Sequence, residues 1–174
     1  MTAYRPLSLP ADSPRVQSRN KELWNEARSP EGADFYTIGY AGRRIDEFVR
    51  IVESAGVASL VDIRFAAVSQ YSPAFSGKNL EERLERSGIH YLHRRELGVP
   101  RDIRARAIAS GSREAIWEWY DEYVVARLLK NMDNLLNAAE HPFALLCVET
   151  DPMACHRHRL FLALEDRGLR GFDL

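Results

Sequence analysis

Hydrophobic and polar positions follow two rhythms along this chain. Phe35-Tyr36-Thr37-Ile38 is a short β-branched and aromatic run ended by Gly39, which predicts a strand. Ile45, Phe48, Val49 and Val52 then recur at helical spacing as far as Gly56. Residues 57–63 form a nearly continuous apolar run, as expected of a strand covered on both faces, and end in Asp62-Ile63-Arg64. Leu80 and Leu84 predict a helix over 78–87, Gly88 stops it, and Ile89-His90-Tyr91-Leu92 reads as a third strand. Ser112 is a candidate N-cap for a long helix carrying Ile116, Trp117, Tyr120, Val124, Leu128, Leu135 and Leu136, with a break near Asn131. After His141-Pro142, residues 143–148 predict a fourth strand. Residues 155–167 predict a last helix with Leu160, Phe161 and Leu164 inward, and Phe172-Asp173-Leu174 a fifth, edge strand. Residues 65–77 and 93–111 read as irregular.

Strands alternate with helices and no hairpin signal intervenes. The expected fold is therefore α/β: a single domain over 34–174, with a mostly parallel sheet of four to five strands covered by helices on both faces. Residues 1–33, punctuated by Pro6, Pro10, Pro14 and Pro30, read as an N-terminal extension. It is expected to be partly disordered or loosely packed, with one short helix around Leu23 and Trp24.

Composition narrows the classes. A chain of 174 residues can bury a core without staples. With 24 Lys and Arg against 25 Asp and Glu there is no global field, so nucleic-acid binding would need a local basic patch. Arg94, Arg95, Arg101, Arg104 and Arg106 supply one candidate. Two cysteines make no disulfide framework, no stretch is long and apolar enough to span a bilayer, and no signal-peptide pattern opens the chain. The expectation is a cytoplasmic protein without a membrane partner.

In open α/β sheets ligands sit outside the carboxyl ends of the strands. Those ends carry Gly39, Tyr40 and Gly42, then Asp62 and Arg64, then His93, Glu96 and Gly98, then Cys147 and Glu149 followed by Cys155-His156-Arg157. Cys147 and Glu149 are two apart on an extended segment and share a face. Cys155-His156-Arg157 falls at an expected helix start, where free N–H groups attract anions and lower a thiol pKa. Arg64 and Arg157 suit two-pronged contacts to phosphate or carboxylate. The spacing C-x7-C-H-x-H over Cys147, Cys155, His156 and His158 matches none of the usual structural zinc patterns. No cofactor is predicted, with zinc on Cys147, Cys155 and His156 as the lesser alternative.

Several of these pieces resemble one family. Thr37-Ile38-Gly39-Tyr40 with Gly42-Arg43, Val61-Asp62-Ile63-Arg64, Phe75-Ser76 with Lys78 and Leu80, Gly88-Ile89 with Tyr91, Glu96-Leu97-Gly98 with Pro100, and Cys147-Val148-Glu149 with Asp151-Pro152 and Cys155-His156-Arg157 stand in order. Together they resemble the bacterial and archaeal family named domain of unknown function 488, from about Tyr36 to Leu174. The resemblance implies an α/β domain whose motif residues cluster, and it supplies no reaction. Members of that family often carry a basic residue before the Pro-x-Phe element, where Gln70 and Tyr71 stand in this chain.

The expected function is an enzyme, a hydrolase or transferase, acting on a phosphate-bearing substrate such as a nucleotide or nucleic acid. Glu149, Asp62, Cys155 and His156 are the catalytic candidates: Glu149 or Asp62 as base or nucleophile, or Cys155 as a thiolate. Gly39, Tyr40, Arg64, Lys78, Cys147 and Arg157 are the substrate-binding candidates. The alternatives are a non-catalytic nucleotide or nucleic-acid binding module, and a metal or redox protein using Cys147 and Cys155.

Overall fold

The computed structural model describes residues 14–131 and 139–174. A five-stranded sheet, all of its pairs parallel, runs in the order β3-β2-β4-β1-β5. Its strands are β1 (Phe35–Gly39), β2 (Ser59–Asp62), β3 (His90–His93), β4 (Phe143–Cys147) and β5 (Gly171–Asp173). The expected α/β class, parallel sheet and helical cover are all present. So are the five strands, each within two residues of its expected bounds.

Alternation along the strands divides the core in two. Tyr36, Ile38, Leu60, Ala144 and Leu146 pack with Phe48, Val49 and Val52 of α2 (Ile45–Ser54) and with Leu80 and Leu84 of α3 (Gly77–Glu85). Phe35, Val61, Phe143, Leu145 and Cys147 point to the other face. There they meet Ile103 of α4 (Arg101–Ser110), Ile116 and Tyr120 of α5 (Glu114–Tyr120), Leu128 of α6 (Ala126–Lys130), and Leu160, Phe161 and Leu164 of α7 (Arg157–Glu165). This is the period-two pattern of a sheet buried on both sides.

Two expectations change. Residues 93–111 are not irregular: a 3-10 turn at Arg95–Leu97 and the helix α4 occupy most of them. Arginines interspersed with alanine and isoleucine hid a helix that buries only Ile103 and Ala107. The helix after Ser112 is interrupted by a π turn at Asp121–Val125, and Leu135 and Leu136 lie outside the described residues. The extension is docked from α1 (Pro14–Asn25) onward. The Trp24 ring meets Phe161 edge-on at 5.1 Å, and Arg28 pairs with Glu165 at 2.7 Å. Asn25 exchanges hydrogen bonds with the backbone of Asp173 at 2.9 and 3.2 Å. Residues 1–13 lie outside the described part.

Topology opens a crevice at β4. The helix after β1 and the helix after β2 cover one face, and the helix after β4 covers the other. Because β4 lies between β1 and β2, the chain splits to opposite faces on both sides of its carboxyl end, which is where such sheets bind ligands. On the β1 side the gap is closed. Tyr40 N donates to Cys147 O (3.3 Å), Ala41 N to Val148 O (2.9 Å) and Thr150 Oγ1 to Ala41 O (2.9 Å). On the β2 side, among the described residues, pairing ends where Ile63 N donates to Leu146 O at 3.1 Å. The opening therefore lies between the tips of β2 and β4.

Gly39 makes the closed side possible. A Cβ there would stand 1.8 Å from the carbonyl oxygen of Glu149. Gly39→Ala should therefore destabilise the fold by at least about 1–3 kcal/mol through overpacking against backbone. Urea unfolding checks this, and an unchanged midpoint would show that the loop after β4 yields freely.

Candidate active site

Two polar clusters leave the carboxyl edge of the sheet, one on each face. The first gathers on the α2 and α3 side. Asp62 is fully buried and both of its oxygens are taken. Oδ1 accepts from Arg64 N (3.1 Å) and Arg64 Nε (2.8 Å), while Oδ2 accepts from Arg64 Nη2 (2.5 Å) and the Tyr91 hydroxyl (2.6 Å). The Tyr40 ring lies across the guanidinium, its centroid 5.2 Å from Arg64 Cζ, and stacks on Phe75 at 4.5 Å. A ring nitrogen of His93 sits 2.8 Å from the carbonyl of Arg64. Arg64 is 2% exposed, and its Nη1 is buried without a hydrogen-bond partner. Burial opposes its charge, yet the hydrogen bonds and charge of Asp62 outweigh that and raise its pKa above the ordinary value. Arg64 is thus held as a fixed cation with one nitrogen unused.

The second cluster lies on the α4–α7 side. Cys147 ends β4 and is fully buried. Its thiol donates to Glu149 Oε2 at 3.4 Å and lies 3.8 Å from His156 Nδ1. The other ring nitrogen of His156 is 3.4 Å from the carbonyl of Ile63, at the tip of β2, so this histidine bridges the opening. Tyr120 packs on the His156 ring at 5.0 Å and donates its hydroxyl to Leu97 O at 2.6 Å. Cys155 is buried beside them. Burial raises its thiol well above the ordinary pKa, and Cys147 and Glu149 push the same way. Glu149 is only half-buried. Burial pushes its carboxyl up, but Arg104, His156, its own backbone N–H and the Cys155 thiol together hold it below the usual range. The second cluster therefore presents an ionised carboxylate beside the neutral Cys155 thiol.

Several expected roles change. Asp62 has no oxygen left for a general base and instead aims Arg64. Cys155 precedes α7 and is a buried neutral thiol, not a thiolate activated by the helix dipole. Gly39 is packed at the β1–β4 closure, under the backbone of Glu149. Lys78 is exposed in the first turn of α3 and joins neither cluster. Tyr40 covers Arg64 in place of facing an open turn.

Arg157 is the largest correction. It was expected to grip an anion, but it is fully buried and each guanidinium nitrogen is engaged. Nε donates to Asp173 Oδ1 (3.2 Å), Nη1 to Glu149 O and Nη2 to Thr150 O (2.9 Å). Burial opposes its charge, and Asp173 outweighs that and raises its pKa. Its work is structural: it ties the loop after β4 to β5. Asp173 was read from sequence only as part of an edge strand, and its role shows only once β5 lies beside β1. Tyr91 and Tyr120 were also missed as site residues. Tyr91 stood in the family-like motif, whereas Tyr120 looked like one more apolar helix position.

The family model described as Domain of unknown function DUF488 matches residues 44–164. The chain belongs to that family. No curated protein and no solved structure matches the chain. Within this DUF488 member, Asp62, Arg64, Cys147, Glu149, Cys155 and His156 all fall inside the matched stretch, whereas Gly39, Tyr40 and Asp173 lie outside it. Among the described residues no helix is long and apolar enough to cross a membrane.

Arg157→Met should destabilise the protein by about 3–5 kcal/mol, because the buried Asp173 would lose its hydrogen-bonded cation and keep only Lys21 at 3.8 Å. Denaturant unfolding measures this, and a variant of unchanged stability would return Arg157 to the candidate ligand contacts.

Proposed function

We propose that this chain is an enzyme, a hydrolase or transferase, acting on a phosphate-bearing substrate at the opening between β2 and β4. The observation that carries this reading is the unused Nη1 of Arg64, a buried cationic donor fixed by Asp62 at one lip of the opening. Leaving such a donor unpaired costs about 1–3 kcal/mol, which an anionic oxygen would recover. Extending the β2–β4 register from the Asp62–Leu146 pair sets Arg64 opposite Val148, with Glu149 next along the chain on the other face, so the substrate would pass over the carboxyl edge of the sheet to meet both.

The roles follow from the geometry. Arg64 holds a phosphate oxygen. Nη1 is shut off from solvent, and the Tyr40 ring lies 5.2 Å from Arg64 Cζ, so the substrate would reach it by displacing that ring. Glu149, the half-buried carboxylate across the opening, acts as general base or nucleophile. His156, bridging Cys147 and the tip of β2, keeps the Glu149 side of the site in register with the Arg64 side. Nucleotides and nucleic acids are the substrate classes that offer a phosphate next to a bond within reach of Glu149. The free thiols Cys147 and Cys155 fit a reducing compartment, and we place the protein in the cytoplasm.

A panel of nucleotides and short single-stranded nucleic acids, assayed for bond cleavage and group transfer, tests this. Glu149→Gln should lower turnover by about 10²-fold or more while leaving binding largely intact. Arg64→Lys keeps the charge but not the fork, and should weaken binding of the same substrate by about 10–100-fold. Undiminished turnover in Glu149→Gln, or no binding of any phosphate-bearing compound by the wild-type chain, would contradict the proposal.

A further inference from the structure

We propose that Cys147, Cys155 and His156 form a zinc site whose fourth position opens beside Glu149. One ligand atom from each of the three residues lies within 4.8 Å of the other two, and all three residues are buried. Tetrahedral zinc with thiolate and imidazole ligands sets those atoms about 3.5–3.8 Å apart. The triangle is therefore close to its loaded size, and the Cys147 Sγ to His156 Nδ1 edge, at 3.8 Å, is already there.

Two local features build the triangle. Consecutive residues such as Cys155 and His156 seldom face one centre. Here Cys155 closes a 3-10 turn in an extended conformation (φ −123°, ψ 144°) and His156 is already helical (φ −61°, ψ −16°). The bend between them turns both side chains toward the end of β4. The imidazole is also oriented from behind. Nε2 lies 3.4 Å from the carbonyl of Ile63. Nδ1 and Nε2 stand 3.8 and 4.0 Å from Cys147 Sγ, and a proton on Nε2 shared with the Ile63 carbonyl leaves Nδ1 as the nitrogen free to take a metal, the tautomer that metal-binding histidines adopt.

The ligand set chooses the ion. Two sulfurs and one imidazole suit zinc, and two thiolates balance its charge, so the loaded centre is neutral in an apolar setting. Three protein ligands leave one position for water, the mark of zinc that does chemistry. Glu149 Oε2, 3.4 Å from Cys147 Sγ, borders that position. Zinc held by these three residues would supply an acidified water, and Glu149 is the carboxylate that stands beside the ligand Cys147. The site stands whether or not Arg64 holds a phosphate.

The test uses the full chain, stripped with chelator and titrated first with zinc and then with cobalt(II) as a coloured substitute. We expect one zinc per chain bound tighter than about 1 μM. Cobalt should bring thiolate charge-transfer absorption. Cys147→Ser and Cys155→Ser should each lose roughly half of that absorption and bind zinc at least about 10²-fold more weakly, whereas His156→Gln should keep the absorption and lose affinity. Glu149→Gln should bind zinc as the wild type does, which separates this site from the role of Glu149 in turnover. Absence of the charge-transfer band in the wild-type chain would overturn the proposal, and that measurement needs no variant to fold. Equal zinc binding by the Cys147→Ser/Cys155→Ser double variant, or loss of zinc in Glu149→Gln, would overturn it too.

Discussion

The buried ion pair between Arg157 and Asp173 is the constraint on which the site depends. A guanidinium without solvent is costly unless its donors are engaged inside the protein. Arg157 spends them on Asp173 of β5 and on the carbonyls of Glu149 and Thr150. One side chain therefore fastens the start of α7, the loop after β4 and the sheet edge together. Thr37 Oγ1 adds a 2.5 Å hydrogen bond to the same Asp173 oxygen, and Lys21 of α1 stands 3.8 Å from the other. The N-terminal helix thus helps to neutralise the carboxylate that holds the site loop in place.

With that loop fixed, the crevice is asymmetric. The β1 side is zipped shut, because Gly39 lets the backbone of Glu149 pass over it. The β2 side opens, and different chemistry stands on each lip. One lip carries a cation that Asp62 immobilises on one edge of its fork and leaves unsatisfied on the other. The opposite lip carries a carboxylate kept ionised beside thiols and an imidazole. Gly98 supports the first lip in the same way that Gly39 supports the second: a Cβ there would stand 2.2 Å from the backbone nitrogen of Phe65, directly after Arg64.

Much of this was legible in the sequence, and the reason is local. Strands buried on both faces must be nearly continuous apolar runs, so β1, β2 and β4 announced themselves, and their carboxyl ends named Asp62, Arg64, Cys147 and Glu149. The helix α4 did not, since its arginines and alanines leave only two buried positions. Nor could spacing reveal which arginine is free. Arg64 and Arg157 look alike as residues following short motifs. They differ because Asp173, 16 residues from Arg157 in sequence, arrives beside it only through the β1–β5 pairing. The single shared pocket expected from sequence became two clusters on opposite faces for a similar reason. Asp62 and Cys147 lie one register step apart on neighbouring strands, and in a pleated sheet one step reverses the side.

The most direct measurement is a crystal structure of the chain soaked with pyrophosphate and with a nucleoside diphosphate. The account predicts a phosphate oxygen within hydrogen-bond distance of Arg64 Nη1, the Tyr40 ring displaced, and the remainder of the nucleotide reaching across the β2–β4 opening toward Glu149. Phosphate bound elsewhere on the protein, with Nη1 still unpaired beneath Tyr40, would contradict it.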